Sequence, residues 1–438
     1  MNSVTHRDYP TIFALSSGNP PAGIGVIRIS GPLAGDILAR VTDHHHVPRI
    51  ARYSRLRDPD DGTLLDHGLS LWFPGPHTAT GEDLAELHVH GSIAIVDAVL
   101  RMLGRQAGLR LAEPGEFTRR ALENGRMDLD EAEGLADLLR ARTERQRKSA
   151  LLRAEGGLGR QVREWERQLL AVSAQIEAAL DFSDEDDVGE ADEQLAGEMR
   201  HQMAAISAAM STLLAQPPAE PLADGIRVVL AGPPNAGKSS LLNALIGREA
   251  AIVDAEAGTT RDVIEVQIDL GGYAMVLIDT AGLRDATGRI EQQGIARAQD
   301  QISAADILLW LGEPSDAPDH AHRLIVHARC DEPGRELRAT GADLAMSARS
   351  GLGMDVFRAM LLDQARQVVP AEDQLAVNRR QRHWLTMAVQ SLSDDGETDL
   401  LLLAERCRLA RQSFDTLTGR SGIEDMLGAL FGQFCIGK

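Results

Sequence analysis

The sequence predicts a chain of α/β and α type: an N-terminal α+β segment, a helical part, and an α/β segment inserted into that helical part. Three observations carry this reading. Residues 224–370 alternate short apolar strands with helical stretches, the pattern of a sheet with helices on its faces. On both sides of that segment apolar residues recur three and four apart, the helical period. The residues before about 125 mix both patterns. At 438 residues the chain has room for roughly three domains of about 150 residues each.

The N-terminal segment, residues 1–125, reads as a strand over 25–30, a second strand over 84–90 and a helix over 93–103. Pro114-Gly115 marks a turn ahead of a further helix. The first helical part spans 126–222, with Leu135, Leu138, Leu139, Leu151 and Leu152 at helical spacing. Gly156, Gly157 and Gly159 interrupt or bend this helix. The acidic run 183–187 reads as a loop, a helix follows to about Leu214, and Gln216-Pro-Pro218 with Pro221 forms a linker. In the inserted segment, residues 223–373, the run 228–231 is a buried strand. Ile264, Val266, Ile268 and Leu270 alternate with polar residues, so that strand has one wet face, and Gly271-Gly272 turns it into a hairpin. Residues 275–278, 307–311 and 324–326 continue the sheet. The second helical part, 374–438, has one helix over 400–417 and a last one capped by Ser421 with Glu424 three residues on, a capping box.

Composition is that of an ordinary globular protein, 43% hydrophobic and 25% charged, with only 3% aromatics. No apolar run approaches the roughly 20 residues that span a bilayer, and residues 1–10 lack the basic start and apolar core of a secretion signal. Three widely spaced cysteines (Cys330, Cys407, Cys435) argue against a disulfide framework and for a reducing, cytoplasmic setting. The formal charge of −20 opposes nucleic-acid binding by the molecule as a whole. An RNA partner therefore requires a local basic patch, from Arg119, Arg120 and Arg126, from 140–148, or from Arg379, Arg380 and Arg382. The more frequent outcome for such residues is a solvated helix face. His44, His45 and His46 read as an exposed loop, and His88 and His90 as structural or pocket-lining residues, since no carboxylate or cysteine shows metal spacing beside them.

The segment Gly232-Pro-Pro-Asn-Ala-Gly-Lys-Ser239 matches GxxxxGKS, with a strand before it and a helical run after it. Its backbone N–H groups, those of Asn235, Ala236, Gly237 and Ser240 included, converge on phosphate oxygens at a helix start. Lys238 neutralises the β- and γ-phosphates and Ser239 ligates Mg²⁺. This points to binding and hydrolysis of a nucleoside triphosphate. In Gly258-Thr259-Thr260-Arg261-Asp262, a threonine reaches Mg²⁺ only while the γ-phosphate is present, which makes the loop a switch. In Asp279-Thr280-Ala281-Gly282, Asp279 holds Mg²⁺ through water and the Gly282 N–H contacts the γ-phosphate. Ser347-Ala348-Arg349 falls where a guanine-contacting loop is expected, and Asp331 accepts from guanine N1–H and N2–H₂. The usual NKxD is replaced by Ala328-Arg329-Cys330-Asp331, which removes one hydrogen bond, a loss on the order of 1 kcal/mol. Leu283 stands where a Ras-like protein has its water-orienting Gln, and Glu291 is the nearby candidate for that task.

Taken with Gly25-Val-Ile-Arg-Ile-Ser-Gly31, Thr80-Gly-Glu-Asp83, Pro114-Gly-Glu-Phe-Thr118, Gly125-Arg-Met-Asp-Leu-Asp-Glu-Ala-Glu133, Ala257-Gly-Thr-Thr-Arg-Asp262 and the terminal Phe434-Cys-Ile-Gly-Lys438, these motifs make the chain resemble the MnmE (TrmE) family of tRNA-modifying GTPases over nearly its full length. The resemblance implies an N-terminal folate-binding-like α+β domain, a helical domain and an inserted Ras-like P-loop GTPase domain. It implies a homodimer formed through the N-terminal domain. With the flavoprotein MnmG (GidA), the dimer adds an aminomethyl or carboxymethylaminomethyl group to carbon 5 of the tRNA wobble uridine, using the one-carbon unit of 5,10-methylenetetrahydrofolate, for which 5-formyltetrahydrofolate is a bound analogue. By match of motif, Arg28, Glu86, Arg126 and Lys438 line the folate pocket. Arg126 stands where the family has Lys, so charge is kept and geometry differs. The resemblance further implies a K⁺ site on Asn235, completed by Asp254, Glu256 and Thr259, with Thr260 as the Mg²⁺-sensing threonine and Glu291 as the catalytic, water-orienting glutamate. Cys435 matches the family's C-terminal cysteine; the commoner role of such a residue is that of a small hydrophobe.

Two other functions fit part of the sequence. A regulatory GTPase switch in ribosome assembly shares the phosphate loop and the Gly258-Thr-Thr-Arg segment, but has no use for the terminal Cys-Ile-Gly-Lys and the N-terminal segment. A folate-binding protein with a decayed GTPase finds support in Ala328 alone, against intact Lys238, Ser239, Thr260, Asp279 and Glu291.

Overall fold

The computed structural model describes residues 10–182, 189–248, 250–251, 264–279, 299–335, 339–372, 374–393, 396–420, 431–432, 434 and 436–437. The chain divides into two compact units, Met1–Ala136 with Thr418–Lys438, and Asp137–Leu417.

The first unit holds β1 (Thr11–Leu15), β2 (Ile24–Ser30), α1 (Ala34–Thr42), β3 (Arg52–Arg57), β4 (Leu64–Phe73), β5 (Leu84–His90), α2 (Ile93–Arg105), β6 (Leu109–Leu111), α3 (Glu116–Glu123) and the start of α4 (Leu129–Arg140). The six strands form one sheet in the order β3-β4-β5-β2-β1-β6, antiparallel except for the β1–β6 pair. Period-two alternation sets the faces. Ile27 and Ile29 of β2 and Leu87 and Val89 of β5 turn into the core with Leu38, Val99 and Met102 of the two helices. Arg28 and Glu86 are register partners on the opposite face. Strands β1, β3, β4 and β6 have no counterpart in the sequence reading. The β3 sequence, Arg-Tyr-Ser-Arg-Leu-Arg, is charged because it forms an edge of the sheet, where charge discourages further pairing.

The C-terminal tail folds onto this same unit. Ile436 makes an antiparallel bridge with Pro114, and the Ser16 hydroxyl donates to the Gly437 carbonyl at 2.8 Å. Phe431 and Phe434 pack with Leu122, Leu135 and Ala136. Two glycines make the approach close enough. A Cβ on Gly115 (φ +68°) would lie 2.6 Å from the Phe431 carbonyl oxygen, and one on Gly437 (φ +98°) 2.0 Å from that of Leu15. The expected capping box at Ser421 and Glu424 lies outside the described residues.

The second unit contains α5 (Glu144–Ala154), α6 (Gly157–Phe182), α7 (Gly189–Leu214), α8 (Glu220–Ala223), β7 (Ile226–Ala231), α9 (Lys238–Arg248), β8 (Ala250–Ala251), β9 (Ile264–Leu270), β10 (Tyr273–Asp279), β11 (Ile307–Trp310), β12 (Arg323–Ala328), β13 (Leu344–Met346), α10 (Met354–Val368), α11 (Arg379–Ser391) and α12 (Leu400–Thr418). The break between α5 and α6 sits at Gly156, which adopts φ +72°, whereas Gly157 and Gly159 continue inside α6. Helices α6, α7, α11 and α12 share one core, with Trp165 stacked on Phe414 at 6.2 Å, so the helical stretches before and after the α/β segment pack together. The expected linker is partly structured: Pro221 sits in the one-turn helix α8, where a missing N–H costs nothing, and Leu222 enters the α/β core. The acidic run 183–187 belongs to the residues not described.

Seven strands form the second sheet in the order β13-β12-β11-β7-β10-β9-β8. β13, β12, β11, β7 and β10 are parallel; β9 returns antiparallel through the Gly271-Gly272 turn, where both residues have positive φ. From Val228 to Ala231 β7 is apolar because it is covered on both faces there. Val228 and Leu230 pack toward α9 and α10, while Val229 and Ala231 pack on the other side with Ile278 and Leu308. No helix among the described residues is long and apolar enough to cross a membrane.

Candidate functional site

The loop between β7 and α9 is built from backbone choices that its sequence permits. Gly232 and Gly237 take φ of 144° and 101°, and Asn235 takes 60°, a left-handed value that asparagine tolerates better than most residues. Lys238 opens α9 and is buried, its ammonium donating to the Gly232 and Pro233 carbonyls at 3.0 and 2.8 Å. The charge thus stays over the loop. The Ser239 hydroxyl donates to Asp279 Oδ2 at 2.7 Å. Parallel pairing of β10 with β7 places that carboxylate at the strand end beside the helix start. Two hard oxygen donors in contact suit a Mg²⁺ ion.

On the other side of β7, parallel pairing of β11, β12 and β13 brings two more loops to the same end of the sheet. A cleft of about 780 Å³ opens there. Asn235, Ala236, Gly237, Lys238, Ser239 and Ser240 line one end, and Asp331, Ser347, Ala348 and Arg349 the other. Asp331 is exposed, and its carboxyl is held below the usual carboxylate range by a hydrogen bond with the Ser347 side chain, with help from the charges of Arg349 and Arg329. The Ser347 side of this pair is buried and anchored by the tight turn to Leu352. Placed together, these groups form an anion cradle at one end and an ionised acceptor for ring N–H groups at the other.

Ala328 ends β12 between those two sides. Its methyl would lie 3.7 Å from a Cβ on Gly237, and Arg329 Cγ 3.5 Å from the same point. Arg329 has φ +62°. Its Nη1 donates to the Asn235 carbonyl at 2.8 Å, its Nε donates to Glu332 Oε1 at 2.6 Å, and its Nη2 pairs with the same carboxylate. The sequence puts Arg329 in the place of a lysine that packs along the loop, but its partner, the Asn235 carbonyl, comes from the structure. The only local signal of this tie is a long cation two residues before Asp331. Asp254, Glu256, Thr259, Thr260, Thr280, Ala281, Gly282, Leu283 and Glu291 lie outside the described residues.

In the first unit, Arg28 donates from Nε and Nη2 to Glu86 Oε1 at 3.2 and 3.1 Å, and His88 Nε2 lies 3.1 Å from Glu86 Oε2. Phe117 of α3 lies against the Arg28 guanidinium. Arg126 donates to the Thr78 carbonyl at 3.3 Å and lies against Gly81. No hydrogen bond or ion pair among the described residues joins Arg126 to Arg28 or Glu86. Lys438 and Cys435 are outside those residues. The preceding Gly437 ends beside Leu15, and Leu15 and Ala14 pair in register with Ile27 and Arg28.

The proposed basic patches are largely spoken for. Arg120 is 2% exposed in a cage of Glu82, Glu116 and the Pro10 carbonyl. Arg380 and Arg382 donate to the carbonyls of Leu417, Leu214 and Gln216. Arg145 stacks on Tyr273 and pairs with Glu372, as Lys148 does, and Arg147 pairs with Glu144. His90 pairs with Asp66, and His44 and His46 stack on each other and hydrogen-bond with Ser54 and Ser70. Among the described residues no cluster of metal-ligating side chains is formed.

Two family models match most of the chain. Residues 11–126 match the family model described as GTP-binding protein TrmE N-terminus, and residues 129–435 match the MnmE helical domain. The chain is similar to the tRNA modification GTPase MnmE of Novosphingobium aromaticivorans, at 53% identity over 98% of this chain and 99% of that protein. The protein of the same name from Rhizorhabdus wittichii is 54% identical over 98% and 96%, and that of Azorhizobium caulinodans 44% identical over 99% and 100%.

Proposed function

The chain belongs to the MnmE (TrmE) family of tRNA modification GTPases, and from that premise we propose that its GTP hydrolysis drives modification of the tRNA wobble uridine at carbon 5, in partnership with the flavoprotein MnmG. The observation that carries this is the single cleft in which the phosphate loop 232–239 and the Asp331–Ser347 pair meet at one end of the sheet. Its span suits a nucleotide, with phosphates at one end and a purine bearing ring N–H groups at the other.

The α/β segment serves as the inserted Ras-like GTPase domain. Phosphoryl transfer passes through a loose transition state, so the protein's work is positioning and neutralising charge. Lys238 bridges toward the β- and γ-phosphates, and loop N–H groups bind oxygens of the same groups. Ser239 and Thr260, with Asp279 behind them, would hold a Mg²⁺ ion, which would supply positive charge to the phosphates. Asn235 serves the K⁺ site with Asp254, Glu256 and Thr259. The Arg329 tie on the Asn235 carbonyl fixes the backbone from which that side chain projects. Glu291 orients the attacking water, since Leu283 has no group for it, and Thr280, Ala281 and Gly282 form the loop facing the γ-phosphate. A K⁺ held at the Asn235 site would supply positive charge against the negative charge developing on the phosphates, the electrostatic help this reaction needs.

The first unit serves as the tetrahydrofolate site and homodimer surface. Arg28, Glu86, Arg126 and Lys438 would hold the folate that supplies the one-carbon unit. The half-buried Arg28–Glu86 pair and the tail seated at the end of β1 support this placement. Two tests separate the parts. In a host lacking its own homologue, this chain is expected to restore the wobble modification in tRNA nucleosides, and absence of the modified nucleoside despite a folded protein would overturn the function. In vitro, replacing Na⁺ by K⁺ is expected to raise GTP turnover steeply; equal rates would remove Asn235 from its role.

A further inference from the structure

We infer that this cleft reads guanine on its N1/N2 edge and leaves N7 unread, so that it accepts guanine nucleotides altered at N7 as readily as GTP. The inference rests on the guanine reading above. Asp331, ionised and backed by Ser347, accepts from two adjacent N–H groups, and guanine presents such a pair at N1 and N2. With phosphates on the loop 232–239 and the N1/N2 edge at Asp331, the imidazole ring spans the gap between them. Ala328 occupies that gap.

The Ala328 side chain is a methyl and donates nothing. Its carbonyl accepts from Arg335 Nη2 at 3.2 Å, and an acceptor gives no bond to N7, itself an acceptor. Arg329 follows Ala328 in the chain, and each of its three guanidinium nitrogens has a partner: Nη1 the Asn235 carbonyl, Nε and Nη2 Glu332. Turning it toward the base would break the tie to the phosphate loop. Among the described residues at this strand end, Ala328 offers N7 no side-chain donor and Arg329 is committed elsewhere, so replacing N7 by C–H is expected to remove no protein contact.

The test is competition by GTP, 7-deaza-GTP and ATP against a fluorescent GDP on the full chain. GTP and 7-deaza-GTP are expected to agree within about twofold, both far ahead of ATP, whereas a site that donates to N7 separates them about fivefold. A fivefold preference for GTP over 7-deaza-GTP overturns the inference and leaves the guanine reading standing. GTP no better than ATP overturns that reading itself. Ala328→Asn, which supplies a donor, is expected to create the preference of about fivefold. A folded variant with no preference counts against placing Ala328 beside N7, and a variant that fails to fold leaves the comparison on the native chain decisive.

Discussion

Replacing Gly437 by alanine tests whether the C-terminal tail is seated by shape. Gly437 has φ +98°, and a Cβ there lies 2.0 Å from the Leu15 carbonyl oxygen and 3.1 Å from Ser16 Cα. Both sides of that overlap are backbone, so no rotamer relieves it, and the tail must leave its seat. The loss is bounded by what holds the tail. Among the described residues at its end, those are the Ser16–Gly437 hydrogen bond, the Pro114–Ile436 bridge and the half-exposed Ile436 side chain. At about 0.5–1.5 kcal/mol net per hydrogen bond, the total is on the order of 2 kcal/mol. The melting temperature should therefore fall by a few degrees, with the fold intact. Function should suffer more, because Lys438 is covalently next and leaves with the tail. Titration with 5-formyltetrahydrofolate is expected to show binding weakened by at least about tenfold, the equivalent of about 1.4 kcal/mol. Nucleoside analysis of tRNA from cells carrying only this variant should show the modification lost, with GTP turnover as the control for folding. Native folate affinity and native modification by Gly437→Ala would refute the argument from the seat.

Two further predictions follow from the charges. Glu291→Ala should abolish GTP turnover and leave nucleotide affinity unchanged in equilibrium binding; lost affinity would show a role beyond orienting water. Acid should loosen the N-terminal unit in two steps. Burial favours protonating Glu116, but hydrogen bonds from Arg110, the Glu113 N–H and Arg120 outweigh it and hold the carboxyl at about 2. A depressed carboxyl stabilises the fold fully above its unfolded value of 4.5, and that contribution, about 3 kcal/mol, is lost as pH falls from there toward 2. His46, held neutral by burial and by the charges of His44 and Arg52 and lowered to about 4, adds a loss that begins near 6.5. Hydrogen-exchange protection of β1 and α3 between pH 7 and pH 3 measures both, and Glu116→Gln should flatten the lower step; an unchanged slope would assign it elsewhere.

The parts legible in the sequence are those whose signal is local. The phosphate loop shows because strand, glycines, lysine and helix are contiguous, and β5, β9 and the Gly271-Gly272 hairpin show through strict alternation and turn chemistry. Strands β3 and β4 were invisible because an edge strand carries charge and β4 holds Gly68 and mixed polar residues. The basic clusters misled for the same reason. Composition counts Arg120, Arg380 and Arg382 as surface charge, while their guanidinium groups are spent on internal carbonyls and carboxylates.

By itself the sequence determined the phosphate loop with its lysine and serine, an α/β segment set within helices, and the family to which the chain belongs. Tertiary structure decided which distant residues share a site. Arg329 reaches Asn235 across 94 positions, and Ser16 meets Gly437 across 421. Such pairs leave no periodicity in the chain. They arise where parallel crossovers deliver successive loops to one end of a sheet, and where a glycine lets two backbones touch.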